Sequence, residues 1–190
     1  KPGQAVVFAA FFNVVAIFIF KLSVAATVGK GIADPSVIDT HVVFGALTGA
    51  ITWNLITWYY GIPSSSSHAL IGGLLGATTI AAGTGALRIH GIVNKVVIPM
   101  ISSPLIGFVV AFVLMLALYW IFRRARRKPM ARIFRRLQVV SAGYMAFSHG
   151  SNDAQKTMGV ITLALFSAGV IPSIDVPGWV IVVSATALSM

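Results

Sequence analysis

Apolar residues run along this chain in long blocks separated by short polar breaks. The first block covers Ala5 to Val28 and is interrupted by Asn13 and Lys21. The second runs from Val42 to Tyr60 and carries Trp53, Trp58, Tyr59 and Tyr60 toward its end, as an interfacial aromatic belt would. The third, Ala69 to Ala86, is dense in Gly, Ala and Thr. The fourth, Val96 to Phe122, holds Pro99 and Pro104. A fifth starts near Leu137, reaches Phe147, meets the polar run Ser148 to Asp153, and resumes from Ala154 to Ile171. A last block begins at Gly178. Blocks of this kind predict membrane-crossing α-helices, and no period-two alternation supports a barrel. The small residues of block three suit tight packing or a re-entrant hairpin, and Gly45 and Gly49 share one face of block two. The polar knot inside block five predicts a broken helix.

Composition sharpens this picture. Of the 190 residues, 57% are hydrophobic and 9% charged, and the mean hydropathy is +0.92. A soluble domain carries about 25% charged residues, so an ordinary soluble domain, a disordered chain and a coiled coil are excluded. The absence of Cys excludes disulfides, iron–sulfur clusters and thiol nucleophiles; with only four scattered His, no structural metal site is expected. The net charge of +10 comes largely from one place: eight of the fourteen basic residues lie between Arg123 and Arg136. A single basic connector between apolar spans marks a cytoplasmic loop, and without interleaved aromatics it does not suggest nucleic acid. The chain thus divides into residues 1–122, the remainder of a first transmembrane repeat; 123–136, a basic cytoplasmic loop; and 137–190, the truncated start of a second repeat. No initiator Met opens the sequence, and the last run is too short to span. The chain therefore reads as an interior fragment of a multi-pass protein of the cell's inner membrane.

Two constellations carry chemistry. In Pro63 to His68, a helix-terminating proline precedes Ser64, Ser65, Ser66 and Ser67. Serine is a preferred N-cap, so these hydroxyls stand beside the free amides of a helix start, a site suited to oxyanions; a polar surface cap is the equal alternative. In Ser148 to Lys156, Asp153 is the single carboxylate between two apolar segments, whereas Asp34, Asp39 and Asp175 lie in connectors. Such a residue costs at least ~2.5–3.5 kcal/mol on insertion scales and marks function by default. It can ligate a cation or complement a helix dipole, and Lys156, three residues on, can neutralise it. His68 and His149 can titrate near neutral pH and serve proton coupling.

The ten residues Gly150-Ser151-Asn152-Asp153-Ala154-Gln155-Lys156-Thr157-Met158-Gly159 resemble the signature of the inorganic phosphate transporter (PiT) family. Pro63 to Ala69 resembles that family's second motif, a proline followed by Ser/Thr residues and a His. The resemblance covers essentially the whole chain and is to the bacterial members. It implies an all-α integral membrane fold, a polytopic bundle with broken or re-entrant helices, and an inverted-repeat carrier. The first-half signature and the second-half Pro-Ser/Thr-His motif would lie outside this chain. By the same resemblance, Ser64 to Ser67, Ser151, Asn152 and Thr157 would bind phosphate. Asp153, with Asn152, would hold the coupling cation, H⁺ or Na⁺. His68, His149, Gln155 and Lys156 would be second-site or proton-coupling residues. No resident cofactor is implied; the expected partners are phosphate and membrane lipid, with homo-oligomerisation open. The rival readings are a permease or channel for another oxyanion such as sulfate, a helix-packing scaffold, and an intramembrane serine hydrolase. The hydrolase is disfavoured because no G-x-S-x-G elbow is present.

Overall fold

The computed structural model describes residues 2–19, 27, 31–125 and 127–189. Six α-helices account for most of them: α1 (Pro2–Ile19), α2 (Thr40–Tyr59), α3 (Ser66–Ala82), α4 (Ile89–Phe122), α5 (Arg127–Ser167) and α6 (Gly178–Ser189). One-turn 3₁₀ helices stand at Pro35–Val37 and Thr84–Ala86. The only extended pairing among the described residues is an isolated antiparallel bridge between Ala33 and Leu87. The all-α architecture agrees with the apolar blocks. Lys21 and Lys30, which interrupt and follow the first block, lie outside the described residues.

The helix ends follow from local chemistry. Asp39 caps α2, its Oδ1 accepting from the Val42 amide at 2.8 Å. Asp34 caps the first 3₁₀ turn, accepting from the Ser36 amide at 3.1 Å and the Ser36 hydroxyl at 2.9 Å. Two of the three connector acids are therefore caps, which satisfies amides that a helix start leaves open. Hydrogen bonds from the Asp34 amide to the Ala86 carbonyl and from the Arg88 amide to the Ile32 carbonyl, both 2.9 Å, clip these two connectors together.

α2 and α4 are long and apolar enough to cross a membrane. α3, with 17 residues, is about 26 Å long, short of a ~30 Å bilayer core. None of α4 from Ile98 to Phe122 is buried within the chain. A helix apolar on all sides and covered by nothing needs lipid or further protein around it.

Two packed groups meet at α5. α2 lies against α3, and α1 against α5 and α6. One core joins Val42, Val43 and Ala46 of α2, Leu74 of α3 and Leu163 of α5; a second joins Ala154 and Met158 of α5 to Val180 and Ala185 of α6. The closest approaches are made at glycines. A Cβ on Gly73 would overlap the Ala46 carbonyl oxygen, so α3 can approach α2 this closely only without a side chain there. Gly45 and Gly49 do face α3, but a Cβ added at either would stand 3.6 Å from the Ala77 Cβ and 3.8 Å from the Gly73 Cα, respectively, ordinary contacts that a small residue tolerates. The indispensable glycine of that crossing is thus on the third block. Gly150 of α5 plays the same part against Asn13 of α1.

Two expectations are corrected here. α5 runs unbroken through the polar knot, as a single helix of 41 residues. The polar groups are spaced three and four apart, so they pair along the helix and need no unwound backbone. The basic segment is also largely not a loop: only the turn at 123–125 precedes the described start of α5, and Arg132, Arg135 and Arg136 lie on helix. At 41 residues α5 is about 61 Å long, twice the thickness of a bilayer core.

Gly73→Leu is expected to lower the melting temperature of the detergent-solubilised protein by several degrees, while Gly72→Ala, whose Cβ meets nothing within 4 Å, leaves it near wild type. Equal melting of the two variants would refute the Gly73–Ala46 crossing. The Asp34 carboxyl is held below its usual pKa by the two Ser36 hydrogen bonds and, to a lesser extent, by Arg88. A depressed carboxyl stabilises the fold above its unfolded pKa and loses that contribution as pH falls through its folded value. Acid melting curves of Asp34→Asn should therefore fall less steeply below about pH 4 than wild type.

Candidate functional site

The first two turns of α3 and the middle of α5 face one another across a cleft of about 630 Å³. Ser64 to Ser67, Leu70 and Ile71 form one wall. His149, Asn152, Asp153 and Lys156 form the other, and Thr27 and Lys95 complete the lining. Pro63 lies outside the helices, as its missing amide requires, and Ser65 is the cap of α3, its Oγ accepting from the His68 amide at 3.4 Å. Ser66 and Ser67 occupy the first two helical positions, whose amides have no acceptor one turn back. Hydroxyls and such amides are therefore gathered on one side of the cleft.

On the other wall, helical geometry sorts the signature residues. Positions 149, 152, 153 and 156 lie within one arc of the helix; 151 and 155 fall on the opposite side. Asp153 is held by both oxygens. Lys156 Nζ donates to Oδ1, and His149 Nε2 lies 3.0 Å from Oδ2. The Asp153 and Lys156 side chains are 31% and 17% exposed, so this pair is only partly screened by solvent. Two ammonium groups, Lys95 and Lys156, against one carboxylate leave the lining positive.

Some expected contacts stand elsewhere. Ser151 and Gln155 are buried away from the cleft, with Gln155 Nε2 donating to Ser151 Oγ at 3.1 Å. Thr157 lines a second, mostly apolar cleft of about 510 Å³, bounded by Leu47, Ala50, Ile51 and Asn54 of α2, and its hydroxyl donates to the Asp153 carbonyl at 3.2 Å. Asp153 and Lys156 of α5, with Ser66 and Leu70 of α3, line both clefts and stand between them. His68 is exposed and lines neither. Lys95 and Thr27 are cleft residues that the sequence reading did not single out. The available signal for Lys95 was a lone cation abutting the fourth apolar block. Among the described residues no cluster of three or more His, Cys, Asp or Glu could hold a metal ion.

Apolar helices around a positive, hydroxyl-lined cleft mark an α-helical membrane protein. The comparisons name its kind. The profile of the phosphate transporter family matches residues 1–131 and 123–190, and the chain belongs to that family. It is 47% identical over 191 residues to a probable low-affinity inorganic phosphate transporter of Rhizobium meliloti (strain 1021), covering 100% of this chain and 57% of that protein. Identity to a protein of the same name from Bacillus subtilis (strain 168) is 45% over 193 residues, with the same two coverages. The low-affinity inorganic phosphate transporter PitB of Escherichia coli (strain K12) is 35% identical over 213 residues, covering 94% of this chain and 42% of that one. A solved structure described as the sodium-dependent phosphate transporter shares the fold, with a TM-score of 0.74 at 19% identity, over 98% of this chain and 64% of that one. The chain spans somewhat more than half the length of the first two relatives. These relatives are named as transporters, not enzymes.

The Asp153–Lys156 contact is testable as a thermodynamic cycle. Asp153→Asn and Lys156→Gln should each cost roughly 1–3 kcal/mol of stability, and the double variant distinctly less than their sum. Strict additivity in denaturation of the detergent-solubilised protein would show the two groups to be uncoupled.

Proposed function

We propose that this chain forms part of a secondary carrier that moves inorganic phosphate across the cell's inner membrane together with a cation, H⁺ or Na⁺. The observation that carries this reading is the meeting of Ser64 to Ser67 with Asn152, Asp153 and Lys156 in one cleft. Phosphate is an acceptor on all its oxygens at neutral pH, and the serine wall is a surface of donors. Asn152 adds an amide donor from α5. None of these groups binds so strongly that the anion could not leave again.

Asp153 supplies the coupling. An unneutralised carboxylate in the cleft repels phosphate. In the resting arrangement Lys156 cancels it, with His149 beside the other carboxylate oxygen, which also keeps the Lys156 ammonium from the anion. A proton or Na⁺ arriving at Asp153 takes over that role and frees Lys156 to turn toward phosphate. Cation affinity and phosphate affinity then rise together, as reciprocity demands. In this reading the membrane is crossed several times, the basic stretch 123–136 is cytoplasmic, and the site is completed by the other half of an inverted repeat.

The test is radiolabelled phosphate uptake by the full-length protein in cells lacking other phosphate carriers, with Na⁺ and proton gradients imposed separately. Wild type should show uptake that depends on one gradient, and Asp153→Asn should lose that dependence, with uptake reduced by ~tenfold or more. Uptake of sulfate in preference to phosphate would reassign the substrate. Gradient-dependent uptake by Asp153→Asn equal to wild type would remove Asp153 from the coupling.

A further inference from the structure

Lys95 is the second cation of the cleft, and its partners differ from those of Lys156. The Lys156 ammonium is committed to Asp153. Among the described residues, Lys95 has no carboxylate within ion-pair distance, yet it lines the same cleft as the four serines. It comes from a third element, α4, so its presence there is not a by-product of the α3–α5 contact.

The backbone that carries Lys95 is unusual. Residues Val93–Val97 form a π-helical turn inside α4, with Lys95 at its centre. An i→i+5 turn inserts an extra residue and re-aims the side chains on it, and such turns recur at functional sites. The base of α4 is also fixed in place. A Cβ on Gly91 would collide with the Gly31 carbonyl oxygen, and Arg88 and Asp34 hydrogen-bond across the same two connectors. The Lys95 ammonium lies against this clip, 3.2 Å from where a Gly31 Cβ would stand. Lys95 therefore projects from an anchored helix start back toward the cleft.

We propose that Lys95 is a phosphate-binding residue: its ammonium supplies the full positive charge that the serine wall lacks and sets the affinity for a tetrahedral oxyanion. This inference rests on the phosphate-carrier reading above. With Lys156 balanced against Asp153, Lys95 gives the cleft its net charge. It attracts the anion before the coupling cation is bound and contributes to holding it afterwards.

The experiment measures phosphate uptake by the full-length protein as a function of phosphate concentration, normalised to protein in the membrane. Lys95→Gln should raise KM for phosphate about tenfold, the size expected for losing one nearby charge at a partly solvated site, with kcat changed by less than about twofold. Lys95→Arg should stay within about twofold of wild type, as should Arg132→Gln, an exposed basic residue of α5 outside the cleft. In a full-length background with any Cys outside these 190 residues replaced, Lys95→Cys offers a chemical check on already folded protein, since the 190 residues themselves hold no Cys. Aminoethyl methanethiosulfonate, which restores the positive charge, should recover the low KM, and sulfonatoethyl methanethiosulfonate should not. An unchanged KM in Lys95→Gln, equal impairment by Gln and Arg, or recovery with either reagent would overturn the role of Lys95 while leaving the carrier reading intact. Absence of phosphate uptake by well-expressed wild type would overturn both.

Discussion

Asp153 carries a charge in the middle of a helix whose flanks are apolar, and that charge must be met where it stands. A carboxylate so placed is costly unless paired. Here the pairing is found on the same helix, one turn before and one turn after, in His149 and Lys156. This arrangement lets α5 continue without a break. It also turns the polar face of α5 toward the serine cap of α3, which makes the cleft. The same ion pair lines both the polar and the apolar cleft. Fold and site therefore depend on one local electrostatic solution.

The second constraint is steric. Gly73 against Ala46 and Gly150 against Asn13 set how closely the helices lie. Gly150 follows His149, so the residue that admits α1 on one side of α5 is next in sequence to one that faces the cleft. Small residues in the signature are thus explained by packing as much as by backbone exposure to a ligand. A larger residue at either glycine would displace the wall on which the polar groups are mounted.

The two walls differ in kind, and the difference suits a carrier. The serine wall is neutral and rich in donors, giving many hydrogen bonds of moderate strength. The opposite wall is ionic, with Asp153 paired to Lys156. In the proposed carrier, selectivity would come from the first and coupling from the second. Lys95, on a third helix, adds charge that is not tied to either.

Much was legible in the sequence because helices in an apolar setting are written in long blocks. The all-α class, a serine cap at the start of α3 and the Asp153–Lys156 pairing follow from composition, N-cap chemistry and three-residue spacing, all of them local. The polar knot in α5 reads as a break when its residues are judged by polarity alone, yet their spacing allows them to satisfy one another on an unbroken helix. The same helical spacing separates Ser151 and Gln155 from His149, Asn152, Asp153 and Lys156, so that part of the site was recoverable without a structure. Three features were not. Gly73 as the residue that fixes the α2–α3 crossing, Thr157 in the apolar cleft against α2, and Lys95 in the serine cleft all depend on where distant segments meet. Sequence determines which groups a helix presents and at what intervals; only the packing of α2, α3, α4 and α5 decides which of those groups share a space, because cross-chain distances are set by steric fit between helices and not by position along one of them.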